Sequence, residues 1–532
     1  MTQWARAPQK REQMVLFAER LDEAVPRDHR VRLLDDILSR INWARWEAGY
    51  YANRGQPAIH PRVLAGALLY GLLTRIRSSR ALEEALMVRL DFRWLVEGRS
   101  IDHTTLSEFR RKHGSELKDL FVQIGLLAQQ MGWLSLQQLA FDGTRIRASN
   151  RRRGTRTPAQ LREMQAALAA RYAELEAQMA EADVRDEETF GGACPQQLAD
   201  VQHRRVQVDA ALAELERAQQ AGETLPKRLP LIDPQSRVMP NKEGGFAPNY
   251  TPLATVDVSS GLIVAADVIA TTDEDKHVLA AIEDVQKQFH MDQPPPEMLA
   301  DGLMATGDNL AAFAERGVTL YSPIAGDHPE NPALRADLSQ PVSEDQWDRL
   351  PTKAAGGQGA SGRQLDKSAF VYDADRDYYW CPQGKALPHV QTVREHHGTR
   401  ERVRHRYQAD PRDCAACPLR ARCLRGQTKR RQIYHEQHET LRIAHARRMA
   451  TPEARQIYAR RRHPGERPFA IIKHHFGARR FLLRGLERVR CEWQWLTTAF
   501  NVHRLIGLIR SRAGPPLGRS LSVLPHPSPL TQ

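Results

Sequence analysis

Apolar positions recur at helical spacing near the start of the chain. In "HPRVLAGALLYGLLTRI", Leu64, Leu68, Leu72 and Ile76 repeat every four residues, and Pro61 suits a first helical position. "SSRALEEALMVRL" follows with Ser79 as its cap. "DHTTLSEFRRKHG" offers a capping box, Thr105 with Glu108, ahead of a basic helix. Residues 1–130 therefore read as an all-α N-terminal domain. Short helices joined by tight turns suit a helix-turn-helix-like DNA-binding module, and equally a plain helical bundle.

The pattern changes at "LSLQQLAFDGTRIRASN". Leu136, Leu139 and Phe141 alternate loosely, which predicts a strand ending near Asp142 at Gly143. Residues 155–225 return to three-and-four spacing, through Leu161, Met164, Leu168, Leu175 and Met179. After a break at Gly191-Gly192 the spacing resumes at Val208, Leu212 and Leu215, so the segment reads as an inserted helical hairpin. "YTPLATVDVSSGLIVAADVIATT" holds two β-branched runs around Ser259-Ser260-Gly261, a hairpin. "KHVLAAIEDVQKQFH" reads as a helix, "PPPEMLADG" as a strand ending at Asp301, and "NLAAFAERGVTLYSPI" as a helix closed by Gly317 and a further strand. The fold class is thus α/β: a mixed-sheet core over 131–324 and 451–512. Residues 325–450 read as an irregular insertion, with "AAGGQGASGRQ" mobile. Helix returns from "PEARQIYARR" to about Ser511, and the Pro/Ser-rich 513–532 reads as a disordered tail.

Charge narrows the function. The chain has 532 residues with a formal net charge of +13. So basic a balance favours a polyanionic partner, and nucleic acid comes first. A membrane partner is excluded as a spanning protein, since no run of about 18 apolar residues is present. "MTQWARAPQKREQ" has no apolar signal core, so the expected location is the cytoplasm.

Against that background one segment stands out. "YARRRHPGERPFAIIKHHFG", Tyr458 to Gly477, carries a single carboxylate, Glu466, among basic side chains. Either Glu466 is an ordinary ion-paired residue on a basic helix, or it is a metal-binding carboxylate beside a polyanion. Asp142 and Asp301 share a setting of their own: each follows a short apolar stretch and precedes glycine. An acid at a strand's C-terminal edge can project into the crevice where open α/β sheets bind ligands. Three acids on one rim would repel one another without a cation. Hard ions such as Mg²⁺ take oxygen ligands, and two of them can clamp both oxygens of an in-line displacement. Neighbouring Arg and Lys would hold the phosphodiester backbone.

Of the six cysteines, Cys381, Cys414, Cys417 and Cys423 read as C-x32-C-x2-C-x5-C. Four thiolates suit structural zinc; reduced structural thiols are the plain alternative. Cys194 and Cys491 look like bystanders. Asp257, beside the hairpin turn, reads as structural, and His474 and His475 either touch phosphate or are simply exposed.

These residues resemble the DDE transposases of bacterial insertion sequences, those with an InsH-like N-terminal domain. "DHRVRLLDDILSRINW", "IHPRVLAGALLYGLLTRIRSSRALEEAL" and "DHTTLSEFR" are similar to that domain. "FDGTRIRAS" and "LADGLMATGDNL" resemble its two aspartate motifs, and "RRHPGERPFAIIKHHFG" its glutamate motif, with Arg462, Glu466 and Lys473 at Arg-x3-Glu-x6-Lys. Tyr458 stands at the family's tyrosine spacing from Arg461, whereas Arg462 is the arginine in register with Glu466. The resemblance implies a ribonuclease-H-like catalytic core, with Asp142, Asp301 and Glu466 binding two Mg²⁺ or Mn²⁺ ions. It assigns Tyr458, Arg461, Arg462 and Lys473 to DNA. The implied partner is double-stranded DNA, both transposon ends and target, bound by a homodimer in the bacterial nucleoid. The implied reaction is end hydrolysis, then attack of the freed 3′-hydroxyl on target. A zinc-containing DNA-binding regulator and a metal-dependent nuclease are the competing readings; three converging carboxylates would count against the regulator.

Overall fold

The computed structural model describes residues 20–50, 58–150, 154–185, 194–223, 225–241, 244–324, 331–354, 363–397 and 400–512. The N-terminal "MTQWARAPQKREQ", the Gly191-Gly192 break, most of "AAGGQGASGRQ" and the tail at 513–532 lie outside the described residues. The chain is mixed α/β.

Among the described residues, helices alone precede the first strand: Arg30–Ser39 (α1), Ala44–Glu47 (α2), Pro61–Leu73 (α3), Ser79–Val88 (α4), Leu90–Leu95 (α5), His103–Lys112 (α6) and Gly114–Gln130 (α7). Pro61 does open α3. Two expected caps move. The N-cap of α4 is Ser78, one residue before Ser79, and its side chain accepts from the Ala81 amide. The N-cap of α6 is Asp102, which accepts from the Thr105 amide, while Glu108 pairs with Arg111 instead of closing a capping box. A carboxylate at the N-cap outcompetes the hydroxyl three residues on, because it satisfies the same orphan amide with a full charge.

The central sheet is built from Gln138–Gly143 (β1), Ile146–Arg147 (β2), then, after a short pair Thr155–Arg156 (β3) and the hairpin helices Pro158–Arg185 (α8) and Cys194–Gln220 (α9), from Leu229–Pro230 (β4), which closes on β3, Arg237–Pro240 (β5), Phe246–Asp257 (β6) and Ile263–Ile269 (β7). Helix Val278–Gln288 (α10) leads to Glu297–Leu299 (β8), and Gly307–Glu315 (α11) to Thr319–Tyr321 (β9). The spatial order is β7–β6–β1–β8–β9. β6 runs antiparallel to β1 and β7; β1, β8 and β9 run parallel. The turn between β6 and β7 is fixed by Asp257, whose carboxylate accepts from the Ser260 amide and from the Ser259 and Ser260 hydroxyls. That is the structural role its sequence setting suggests.

Residues 325–450 are not irregular. They contain Thr352–Ala354 (β10), Arg363–Leu365 (β11), Val371–Asp373 (β12), Tyr378–Trp380 (β13), Ala386–His397 (β14), Arg400–Gln408 (β15), the short helices Pro411–Ala415 (α12) and Arg420–Cys423 (α13), and Gln432–Glu436 (β16). β12 to β16 form one antiparallel sheet in sequence order. The sequence conceals it because the long strands are polar: "VREHH" and "RERVRHRYQ" lack alternating apolar residues. The sheet has its own core, built on Leu365, Phe370, Tyr379, Leu387, Tyr407 and Ile433.

The C-terminal helix is also broken where continuity was expected. Glu439–Met449 (α14), Pro452–Ala459 (α15) and Arg462–Ala470 (α16) are followed by a π turn, Ile471–His475, a loop, and Leu486–Arg512 (α17). Gly477 and Gly485 bound that loop with φ of 71° and 84°, a backbone that side chains resist. Helix α17 packs on α3 and α7 and on β7, so one hydrophobic cluster runs from Leu34, Trp46 and Tyr70 through Phe141 and Ile263 to Trp493 and Phe500. Arg77 pins the loop from the other side. It donates to the carbonyls of Gly477 and Arg480 and pairs with Glu492 at 2.6 Å.

Candidate active site

Strand register brings the two aspartates together. Leu139 pairs with Met298 and Ala140 with Leu299 across the parallel β1–β8 pair. Asp142 and Asp301 each lie two residues past this last pair, and they are close enough that the charge of Asp301 raises the Asp142 carboxyl. Asp142 is the penultimate residue of β1. Asp301 caps a 3-10 turn, Gly302–Met304, and accepts from the Leu303 amide at 3.0 Å.

Each following glycine has a packing reason. A Cβ on Gly143 would run into the Glu274 carboxylate, and one on Gly302 would stand 2.8 Å from the carbonyl oxygen of Pro323. Neither position has room for a side chain.

Helix α16 lies against Asp142. A Cβ added at Gly465 would stand 3.8 Å from Oδ2 of Asp142. The helix is held there by Phe469, which stacks on Trp493 at 6.1 Å, while the Trp493 indole donates to the Leu253 carbonyl. Arg461, which precedes the helix, places a guanidinium 3.1 Å from Asp142. Sequence reasoning put Arg461 on DNA; here it neutralises a carboxylate. Glu466 follows Gly465 directly. It is exposed and, among the described residues, has no ion-pair partner.

Other predicted residues scatter around this point. Lys473 donates to the Thr144 hydroxyl at 2.5 Å, two residues beyond Asp142. Arg462 is exposed at the start of α16. Tyr458 packs half-buried against Leu299, Tyr321, Met449 and Ala454. The π turn carries Lys473 from α16 toward β1; such turns are frequent at functional sites.

Sequence reasoning missed Glu274 and Arg145. They form a buried ion pair at 2.6 Å beside Gly143. Glu274 stands in an acidic 3-10 turn, "DEDK", which has no periodicity to mark it. Its charge nonetheless reaches Asp142. Burial pushes the Asp142 carboxyl up to about 6; Arg461 and the Gly143 amide pull it down, and Asp301 and Glu274 push it up. A desolvated carboxylate with two acidic neighbours and one cation is short of positive charge. Oxygen donors of this kind fit a hard divalent ion. Among the described residues no group of three or more His, Cys, Asp or Glu is arranged to hold a metal ion, and Glu466 is not gathered with the two aspartates.

Four cysteines share a cavity elsewhere, though they too are not gathered into a metal-holding group. Cys381, Cys414, Cys417 and Cys423 all line one cavity of about 40 Å³ under the second sheet, with Leu365, Phe370 and Leu387. Burial raises the Cys381 and Cys417 thiols, and pushes Cys423 up to about 12, with the neighbouring cysteines adding to each shift. Cys491 is half-buried on α17, away from them.

Two family models match the chain. Residues 19–112 match a Transposase domain (DUF772), and residues 380–506 match a Transposase DDE domain. No curated protein matches. The first match covers α1 to α6; the second takes in the cysteine-lined cavity and the helix that carries Glu466. A transposase domain match thus lies toward each end of the chain, and the C-terminal one is of the DDE type.

Proposed function

We propose that this transposase cleaves and transfers DNA strands at a centre made by Asp142, Asp301 and Glu466. The observation that carries the assignment is the matching position of Asp142 and Asp301, each two residues past the last pair of the parallel β1–β8 register, with the Glu466 helix lying across Asp142. The strand order β7–β6–β1–β8–β9, three antiparallel strands followed by two parallel ones, supports a ribonuclease-H-like core over 131–324 and 451–512. DDE transposases use divalent metals. Bound Mg²⁺ or Mn²⁺, two ions in this reading, would activate the attacking oxygen and stabilise the leaving one.

The chain's own residues do the rest. Asp142 and Asp301 supply the oxygen donors on the sheet rim, and Glu466 is carried in by α16. Arg462 and Lys473 hold the phosphodiester backbone, and Tyr458 seats α15 on the sheet. The helices before residue 130 bind the element's ends and dimerise; 155–225 and 325–450 are insertions. The four cysteines, which line one cavity without being gathered into a ligand set, would draw together around a structural zinc; their thiolate chemistry is what supports this reading.

The test is a paired assay on one DNA end, gel-shift for binding and Mg²⁺-dependent nicking for chemistry. Asp142→Asn, Asp301→Asn and Glu466→Gln should each lose nicking by at least a hundredfold and keep binding. Nicking at the wild-type rate in any of the three would remove that residue from the centre; in all three it would leave a DNA-binding regulator.

A further inference from the structure

Beyond Asp142, α16 borders a second concentration of charge, of one sign. Arg467 lies two positions past Gly465, about 200° around the helix, on the flank away from Asp142. The π turn adds His475. Its ring stands 5.4 Å from that of His503 on α17, and Phe476 closes on His503 edge-on at 6.1 Å. Arg504 is next on α17, tied by its Nε to the Ser260 carbonyl at 2.6 Å. Arg30 of α1 completes the group.

Four elements thus bring three arginines and two histidines together. Among the described residues none of the five has a carboxylate partner. By contrast, Arg77, Arg145, Arg217, Arg237 and Arg461 each face an acid. The repulsion is visible in the group itself. His503 is driven down to about 4 by burial, then by His475, Arg30, Arg467 and Arg504, in that order. Arg504 is lowered by burial and by Arg467. Like charges gathered without counter-charge repel one another, and an anion placed among them relieves that repulsion.

We propose that Arg467, His475, His503, Arg504 and Arg30 form a phosphate-binding strip for the DNA backbone, on the side of α16 opposite the aspartates. Arg467 and His475 are exposed while His503, Arg504 and Arg30 are half-buried, so the strip is open along its length. An open row of three guanidiniums, with imidazoles between them as hydrogen-bond donors, suits successive phosphates of a strand better than one small anion, which requires an enclosed set of donors. The strip rests on the reading of this chain as a DNA-acting enzyme. It assigns the strand a path across α16, from the carboxylates past Glu466 to α17.

The experiment uses the full chain, a short random-sequence duplex followed by fluorescence anisotropy over a range of salt, and thermal unfolding with tripolyphosphate. Arg467→Gln and Arg504→Gln should each weaken duplex binding and make the slope of log K against log[salt] shallower by about one. Arg467→Lys should restore the slope. Each Gln variant should melt at or above the wild-type temperature, because repulsion is relieved, which a merely structural arginine would not do. Slopes equal to wild type in both Gln variants would overturn the strip. Stabilisation by tripolyphosphate that Arg467→Gln abolishes, with no duplex binding by wild type, would keep the anion site and discard DNA as its ligand. No response to either probe would discard both.

Discussion

Asp142 is ionised at neutral pH against its surroundings. Its folded-state value of about 6 lies above the ordinary 3.8, so between those values the folded chain holds a proton that the unfolded chain has lost. The group's contribution is therefore most favourable below about pH 4 and is lost as pH rises through 6. Comparing wild type with Asp142→Asn by urea unfolding at pH 4 and pH 7, without metal, isolates it. The difference in unfolding free energy should change by on the order of 2–3 kcal/mol, and millimolar Mg²⁺ should shrink that change. A difference that does not move with pH would contradict the burial of this carboxylate. Gly143 gives a second test. Alanine there would collide with Glu274 and disturb its pair with Arg145, so Gly143→Ala should cost about 1–3 kcal/mol, read by thermal unfolding. At this scale the sequence was half legible. The Asp-Gly pairs could be seen, but the reason for the glycines could not. It lies in Glu274 and Pro323, which reach them from distant segments with no local signal.

Elements were legible where one face is buried and opaque where neither is. The hairpin β6–β7 and helix α10 announce themselves because their apolar faces meet the core. β14 and β15 do not, since their outer lengths are polar on both sides, and only Leu387 and Tyr407 turn into the second core. The break after α16 was missed for a related reason. Its loop is secured from α3–α4 by Arg77, about 400 residues upstream, and no local pattern encodes that tie. Arg77→Ala would leave Glu492 buried without its partner. The expected loss is about 3–5 kcal/mol by urea unfolding, and a loss under about 1 kcal/mol would show that the loop holds itself. The cysteine cavity belongs to this scale too. If zinc fills it, binding must expel protons from thiols that burial has raised, so affinity should fall steeply as pH drops below 7. Chelation should expose residues 331–436 to protease while 58–150 stays protected. Purified protein without zinc, and protection unaffected by chelator, would reject the site.

For the whole molecule, charge and topology point the same way. A net charge of +13 predicts duplex affinity that drops by orders of magnitude between 50 and 200 mM salt. The two transposase domain matches cover α1 to α6 and the segment with Glu466, but neither reaches Asp142 or Asp301. Those two aspartates are identified by resemblance of short motifs; each lies two residues past the last pair of the β1–β8 register. Glu466 is different: it sits on the right helix but out in solvent, and Arg461 occupies Asp142. The account requires this arrangement to close when DNA and metal are bound. The most direct measurement is anomalous scattering at the manganese edge, from crystals of the full chain bound to a duplex carrying the element's end. The account predicts manganese between Asp142 and Asp301, Glu466 drawn in as a ligand, and Arg461 moved off Asp142. Manganese bound elsewhere, or Glu466 left in solvent in crystals that nick their DNA, would contradict it.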